Sequence, residues 1–120
     1  MYRFSKDGLN RPVEDDVRKL RALADDLERL AQGRQPTAAD LHGAPSLSNY
    51  WVDLRPVYCL KGAIAGHPRI GSPMATTSDL WVFAPELGWA RTHSRWYKLL
   101  GKPHADKSPP GFPIDTGGLK

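Results

Sequence analysis

The residues best suited to chemistry lie in one short segment, residues 89–97. Every second residue there is aromatic or basic, in the order Trp89, Arg91, His93, Arg95 and Tyr97. Successive side chains of a strand point to opposite faces, so one continuous strand would place all five on the same face. Guanidinium groups bind phosphate through a planar fork, and aromatic rings offer stacking surfaces for unpaired bases. The pattern predicts a solvent-facing row that binds a ligand such as nucleic acid.

The same alternation also has a purely structural interpretation. Arginine side chains pack over tryptophan and tyrosine rings within proteins, through cation–π contact and through their aliphatic stems. The formal net charge is +4, below that of most dedicated nucleic-acid binders. All of this excess lies in residues 46–120, and residues 89–102 contain no acid. Such a local positive field attracts phosphates or an acidic protein, so both interpretations stay open.

Patterns typical of metal sites and of known catalytic centres do not occur in the sequence. No short spacing links the four histidines, which are His42, His67, His93 and His104, and the single Cys59 offers no cysteine pair. Phosphate-binding loops, dinucleotide-binding glycine patterns and nucleophile elbows are missing. We therefore predict no catalytic residue, no metal and no cofactor. An enzyme of unknown class is the third functional hypothesis.

Residues 13–31 carry the clearest helical pattern. Their apolar members recur at intervals of three and four and so form one stripe, made of Val13, Val17, Leu20, Leu23, Ala24, Leu27, Leu30 and Ala31. We expect Pro12 at the first helical position and expect Gly33 to end the helix in the left-handed backbone conformation. The stripe either packs on the domain's own sheet or binds a partner, as a protein–protein adaptor or in a homo-oligomer.

A short second helix is expected to begin at Thr37. Thr37 and Asp40 have the spacing of a capping box, with Asp in place of Glu. The next apolar segment, residues 47–54, fits a helix and a strand equally well, because short apolar runs cannot be assigned by periodicity alone.

Three strands are predicted in the second half of the chain, at residues 57–65, 79–84 and 89–99. Pro85-Glu86-Leu87-Gly88 forms a tight turn between the last two. This turn pairs Ala84 with Trp89, Val82 with Arg91 and Leu80 with His93.

Two segments rich in proline and glycine lie outside these elements. We expect residues 66–78 to form a flexible flap, in which His67 and Arg69 are candidate ligand-binding residues. We expect residues 102–120 to form a flexible tail.

Three motifs follow one another along the chain: Gly66-His67-Pro68, Thr77-Ser78 and Ala90-Arg91-Thr92-x-Ser94-Arg95-Trp96-Tyr97. Together with Ala44-Pro45-x-Leu47 and Trp51, they resemble the motifs of a small bacterial family of conserved hypothetical proteins, a domain of unknown function. The resemblance spans residues 37–101. It implies no known activity, so no catalytic or binding role carries over to this chain.

Length and composition favour one α+β domain at residues 1–101. We expect the long N-terminal helix and the short second helix to pack on an antiparallel sheet of three or four strands. No apolar run approaches the ~20 residues of a membrane span, no secretory signal is expected, and Cys59 fits a reducing compartment as a small buried side chain. We predict a small, cytoplasmic, non-enzymatic binding module whose partner is nucleic acid or an acidic protein.

Overall fold

The computed structural model describes residues 1–65 and 74–104. The chain is α+β, as predicted, and its elements fall into two units. One unit comprises Met1–Arg11 and the chain from Pro56 onward, and it contains all the described strands. The other unit is Pro12–Arg55, and it contains both described helices.

Five of the seven described strands form one mixed sheet. The strands are β1 (Tyr2–Ser5), β2 (Gly8–Leu9), β3 (Lys61–Ala63), β4 (Met74–Thr76), β5 (Leu80–Ala84), β6 (Trp89–Thr92) and β7 (Trp96–Lys98). The five-stranded sheet has the order β2-β1-β5-β6-β7, and β3 pairs with β4 in a separate antiparallel sheet.

The wholly antiparallel sheet of three or four strands was a wrong prediction. β1 lies parallel to β5, with Tyr2 opposite Val82, whereas the other pairs are antiparallel. Parallel strands need a long connection, and here most of the chain lies between the two. The N-terminal segment can join the sheet because its apolar and polar residues alternate, so one set of side chains can be buried. Tyr2 belongs to that set and is buried.

The hairpin between β5 and β6 follows the predicted register over most of its length. Ala84 lies opposite Trp89 and Val82 opposite Arg91, as the turn residues indicate. Gly88 adopts a φ of +80° in this turn, a conformation that favours glycine. The register then shifts between Leu80 and Val82.

The core of this unit lies on one face of β5 and β6. Leu80, Phe83 and Ala90 are buried there, and Met1, Leu60 and Leu99 pack against them. Leu60 comes from the chain before β3 and Leu99 from the chain after β7. The core is therefore closed by segments that have no regular secondary structure.

The first half of the β region is less regular than predicted. Residues 57–65 contribute only the short strand Lys61–Ala63, and part of the predicted flap, Met74–Thr76, is its partner strand. Residues 66–73 of that flap, which include His67 and Arg69, and the tail from residue 105 lie outside the described residues.

The first helix, α1 (Glu14–Ala31), closely matches the predicted one. It ends as predicted at Gly33, where φ is +79°, with Gly33 N–H donating to Leu30 O (2.9 Å) and Arg34 N–H donating to Arg29 O (3.0 Å). Its start differs, because Val13 is the N-cap and Pro12 precedes it. Acidic residues in the first turn favour this uncapped end through the helix dipole.

The second helix, α2 (Ala38–His42), begins with the predicted capping box. Thr37 N–H donates to Asp40 Oδ2 (2.9 Å), and Asp40 N–H donates to Thr37 Oγ1 (3.1 Å). Residues 47–54 form neither a helix nor a strand, so both alternatives for them were wrong. Cys59 is exposed rather than buried.

Protonation of the Asp40 carboxyl should weaken the capping box at the start of α2. Hydrogen bonds from the backbone and side chain of Thr37 lower the pKa of the Asp40 carboxyl. Because the folded pKa is lowered, the capping box is complete at neutral pH and is lost as pH falls through the acid range below about 4. Thr37→Ala removes the side-chain hydrogen bond but keeps the backbone N–H donor, so the pKa of Asp40 should rise part of the way toward its ordinary value. NMR titration of the carboxyl carbon measures this, and an unchanged pKa would contradict the capping role.

Candidate functional site

The predicted aromatic and basic row is interrupted after Thr92. Residues 89–99 do not form one strand, because β6 ends at Thr92 and β7 begins at Trp96. Thr92 N–H donates to Arg95 O (2.9 Å), which closes a tight hairpin turn. His93 leaves the register in this turn, and its N–H donates to Asp79 O (2.8 Å).

A buried hydroxyl group organises this turn. Thr92 is 1% exposed, and its Oγ1 accepts a hydrogen bond from Ser78 Oγ (3.1 Å) and donates one to Arg95 O (3.2 Å). The backbone N–H groups of Ser94 and Arg95 also point at Thr92 Oγ1 (both 3.3 Å). A buried hydroxyl without partners is costly, so this network favours the turn over a continued strand.

The network extends from the turn to the chain before β3. Ser94 N–H donates to Ser78 Oγ (3.1 Å). Thr77 Oγ1 donates to Ser78 O (2.8 Å) and accepts from Leu60 N–H (2.9 Å). These hydroxyl groups belong to the Thr77-Ser78 and Thr92-x-Ser94 motifs of the sequence. Their role here is to hold the β6–β7 hairpin and the core segment around Leu60 in place.

The turn distributes the five predicted ligand residues over three places. Trp89 and Arg91 share one face of the sheet. Tyr97 lies opposite Ala90, on the face that carries the core. His93 and Arg95 lie in the turn. The prediction that all five share one face is therefore wrong, because the turn at residues 93–95 breaks the alternation.

A different group of side chains comes together instead, and we name it the aromatic face: Phe4, Trp89, Arg91 and Trp96. Trp96 lies directly opposite Arg91 in the register. The Trp89 and Trp96 ring centroids are 5.4 Å apart in an edge arrangement, and the Phe4 and Trp89 centroids are 5.3 Å apart. The Arg91 guanidinium carbon is 5.5 Å from the Trp96 ring centroid. The rings therefore form a continuous row across three strands.

A second cation–π pair lies on the same side of the sheet. Tyr2 is opposite Val82, which in turn is opposite Arg91. The Arg11 guanidinium carbon is 3.8 Å from the Tyr2 ring centroid, and Arg11 Nη2 donates to Met1 O (3.1 Å).

The charged residues within the strands of the sheet are all basic, whereas the acids Asp7 and Glu86 lie in its turns and line the same cavity as Phe4. The five strands contain no acidic residue and three basic ones, Arg3, Arg91 and Lys98. Lys98 lies opposite Trp89, so it shares the side of the aromatic face. An anion that approached this side would meet positive charge next to aromatic surface.

Sequence reasoning missed Phe4 and Trp96 as members of the site. Phe4 comes from the N-terminal strand, whose signal was the alternation in Tyr2-Arg3-Phe4-Ser5. A strand that continued through residue 95 would place Trp96 on the other face. The signal against that was Thr92-His93-Ser94, whose short hydroxyl side chains favour turns by bonding nearby backbone groups.

Residues 1–65 and 74–104 contain neither a metal-binding cluster nor a membrane-spanning helix. No group of three or more His, Cys, Asp or Glu side chains in these ranges is arranged to hold a metal ion. None of the helices described there combines the length and apolar character of a membrane span.

The chain matches the model of a known protein family. Residues 12–106 match the model of a family described as "Family of unknown function (DUF6634)". The chain belongs to this family. The matched range includes Trp89, Arg91 and Trp96, whereas β1 with Phe4 precedes it. The family assigns no activity to these residues. No curated protein and no solved structure matches the chain.

The hydroxyl of Thr92 should be essential for the hairpin that carries Trp96. Thr92→Val keeps the shape of the side chain but leaves the Ser94 and Arg95 N–H groups and the Ser78 hydroxyl without this acceptor. We expect a loss of about 1–3 kcal/mol in the free energy of unfolding, measured by urea denaturation. The matched control is Thr76→Val, at an exposed strand position. Equal losses in both variants would contradict the role given to Thr92.

Proposed function

We propose that this protein is a non-enzymatic binding module that takes single-stranded nucleic acid on its aromatic face. The observation that carries the proposal is the position of Trp96. The residue is 64% exposed, yet its ring has defined neighbours, since Trp89 makes an edge contact with it and the Arg91 guanidinium lies beside it. A large aromatic ring held in this way offers one broad surface to a partner.

Stacking on Trp96 is physically favourable because the ring is already ordered. A rigid aromatic side chain gains contact area at a low cost in conformational entropy. Base–aromatic stacking contributes about 1–3 kcal/mol for each base, and every base has a face that can stack. A site built on Trp96 therefore binds with little dependence on base sequence.

The charges near the rings suit a phosphate backbone. Arg91 is beside the Trp96 ring, and Lys98 lies opposite Trp89. The guanidinium group offers a planar fork to phosphate oxygens, while Lys98 supplies a second positive charge. The lack of acids in the strands of this sheet leaves these charges unopposed there.

Single strands fit this surface better than duplexes or acidic proteins do. The bases of a duplex hide their faces in the stack, whereas unpaired bases can stack on exposed rings. An acidic protein would engage the charges but would leave the exposed Trp96 ring without a specific role. The same proposal includes a regulatory role and a bacterial cytoplasm. The resemblance to a bacterial family supports the bacterial source, and the single exposed thiol of Cys59 fits a reducing compartment.

Replacing Trp96 should weaken binding to a short single strand. We expect Trp96→Ala to lower affinity for a fluorescein-labelled dT12 oligonucleotide by about 5- to 150-fold, measured by fluorescence anisotropy, since one stacked base is lost. The matched control is Trp51→Ala, which removes an even more exposed tryptophan (78%) away from the sheet. Equal affinities in the two variants would exclude the aromatic face as the binding site.

The salt dependence of binding should show whether Arg91 contacts phosphate or only packs against the Trp96 ring within the protein. Each phosphate contact on a single strand contributes about −0.7 to the slope of log affinity against log salt. We expect Arg91→Ala to reduce the slope by about that amount, whereas Arg95→Ala, in the turn, leaves it nearly unchanged. A Tm loss in Arg91→Ala without any change in slope would favour the structural interpretation. Binding of an acidic peptide in place of dT12 would identify the partner as a protein.

A further inference from the structure

A second guanidinium group lies on the same side of the sheet as the aromatic face. Arg11 is exposed, and its guanidinium carbon is 3.8 Å from the Tyr2 ring centroid. We propose that Arg11 binds a second phosphate of the single strand, so that the strand crosses the sheet from Trp96 on β7 to Tyr2 on β1. This inference rests on the proposed function, because it extends the path of the same ligand.

Paired residues of four strands define this path. Tyr2 on β1 is opposite Val82 on β5, and Val82 is opposite Arg91 on β6. Arg91 is opposite Trp96 on β7. Residues opposite one another in neighbouring strands lie side by side and share a face. The path therefore runs across the strands, with Trp96 at one end and Tyr2, covered by Arg11, at the other.

The Arg11 side chain is held in place within the protein. Its Nη2 donates to Met1 O (3.1 Å), and its guanidinium lies over the ring of Tyr2, a residue that is only 2% exposed. This hydrogen bond uses one of the five N–H donors of the group, so the guanidinium keeps donors for phosphate oxygens. Because the side chain is already positioned, it loses little further conformational freedom when it binds a ligand.

The two arginines are placed to contact different phosphate groups. β5 lies between β1 and β6, and neighbouring strands are about 4.8 Å apart, so the strands that carry Tyr2 and Arg91 are about 10 Å apart. The Arg91 guanidinium is near the ring of Trp96, which belongs to the strand on the far side of β6. A ligand with a single phosphate linkage that stacks on Trp96 therefore reaches Arg91 but not Arg11.

Acidic side chains disfavour a phosphate path closer to the turns of the sheet. Phe4 lies two residues beyond Tyr2 along β1, toward the turn that contains Asp7. Asp7 and Glu86 line the same cavity as Phe4, so a phosphate there would meet negative charge. The path over Arg11 lies farther along the strand from these acids. Charge therefore favours a phosphate backbone at the Tyr2 end of β1.

The first test is the salt dependence of dT12 binding to the full chain, measured by fluorescence anisotropy. We expect Arg11→Ala to reduce the slope of log affinity against log salt by about 0.7, because one phosphate contact is lost. Arg11→Lys should keep the slope, since the ammonium group still neutralises a phosphate. The matched control is Lys6→Ala, which removes the same charge from the exposed β1–β2 turn and should leave the slope unchanged.

The second test varies the length of the ligand. The dinucleotide dT2 has one phosphate linkage, so its affinity, measured by NMR titration of the tryptophan indole N–H signals, should be the same for Arg11→Ala and the natural chain. Arg11→Ala should weaken the binding of dT12 alone. A weakening of dT2 as large as that of dT12 would overturn the assignment of Arg11 to a second phosphate.

The results also separate this inference from the proposed function. If Trp96→Ala weakens dT12 binding but Arg11→Ala leaves the slope unchanged, the second phosphate contact is wrong and the aromatic face remains the binding site. A lower Tm in Arg11→Ala with an unchanged slope would assign Arg11 to packing on Tyr2 alone. A natural chain that does not bind dT12 would overturn both proposals.

Discussion

The buried hydroxyl of Thr92 is the constraint on which the aromatic face depends. Inside the protein, this oxygen needs hydrogen-bond partners, and it finds them in Ser78 and in the backbone of the turn that follows. Satisfying it ends β6 and turns the chain back as β7. The return strand brings Trp96 opposite Arg91. Without this turn, the two side chains would lie on opposite faces of one strand.

The sheet is asymmetric because its two faces meet different surroundings. One face is covered by Leu60 and Leu99 from segments outside the strands and holds the buried Leu80, Phe83 and Ala90, whereas Tyr2 and Ala84 are buried on the opposite face. The other carries the aromatic rings, which are stabilised by contact with one another and with arginine. Pairing of β1 with β5 extends both faces, since it adds Phe4 to the rings and Met1 to the core. A short N-terminal strand therefore contributes to stability and to the candidate site together.

Local signals allowed much of this structure to be predicted. The ends of α1 and α2 follow from Gly33 and from the Thr37–Asp40 capping box, and the β5–β6 register follows from the turn that ends at Gly88. The wrong predictions concern contacts between residues that are far apart in the sequence. The parallel position of β1 depends on a strand far away in sequence, and the turn after Thr92 depends on Ser78. Periodicity in a single segment contains no information about such partners.

The two exposed apolar surfaces differ in a way that bears on what each can bind. The aromatic face combines separated rings with cations and no acid in its strands, so it suits a polyanion that carries flat groups. The α1 stripe has leucines at helical spacing, and acidic residues occupy the first turn of the same helix. A polyanion would be repelled by Glu14, Asp15 and Asp16 at the start of α1. Charge distribution, rather than apolar area, would therefore direct a polyanion toward the aromatic face and away from the start of α1.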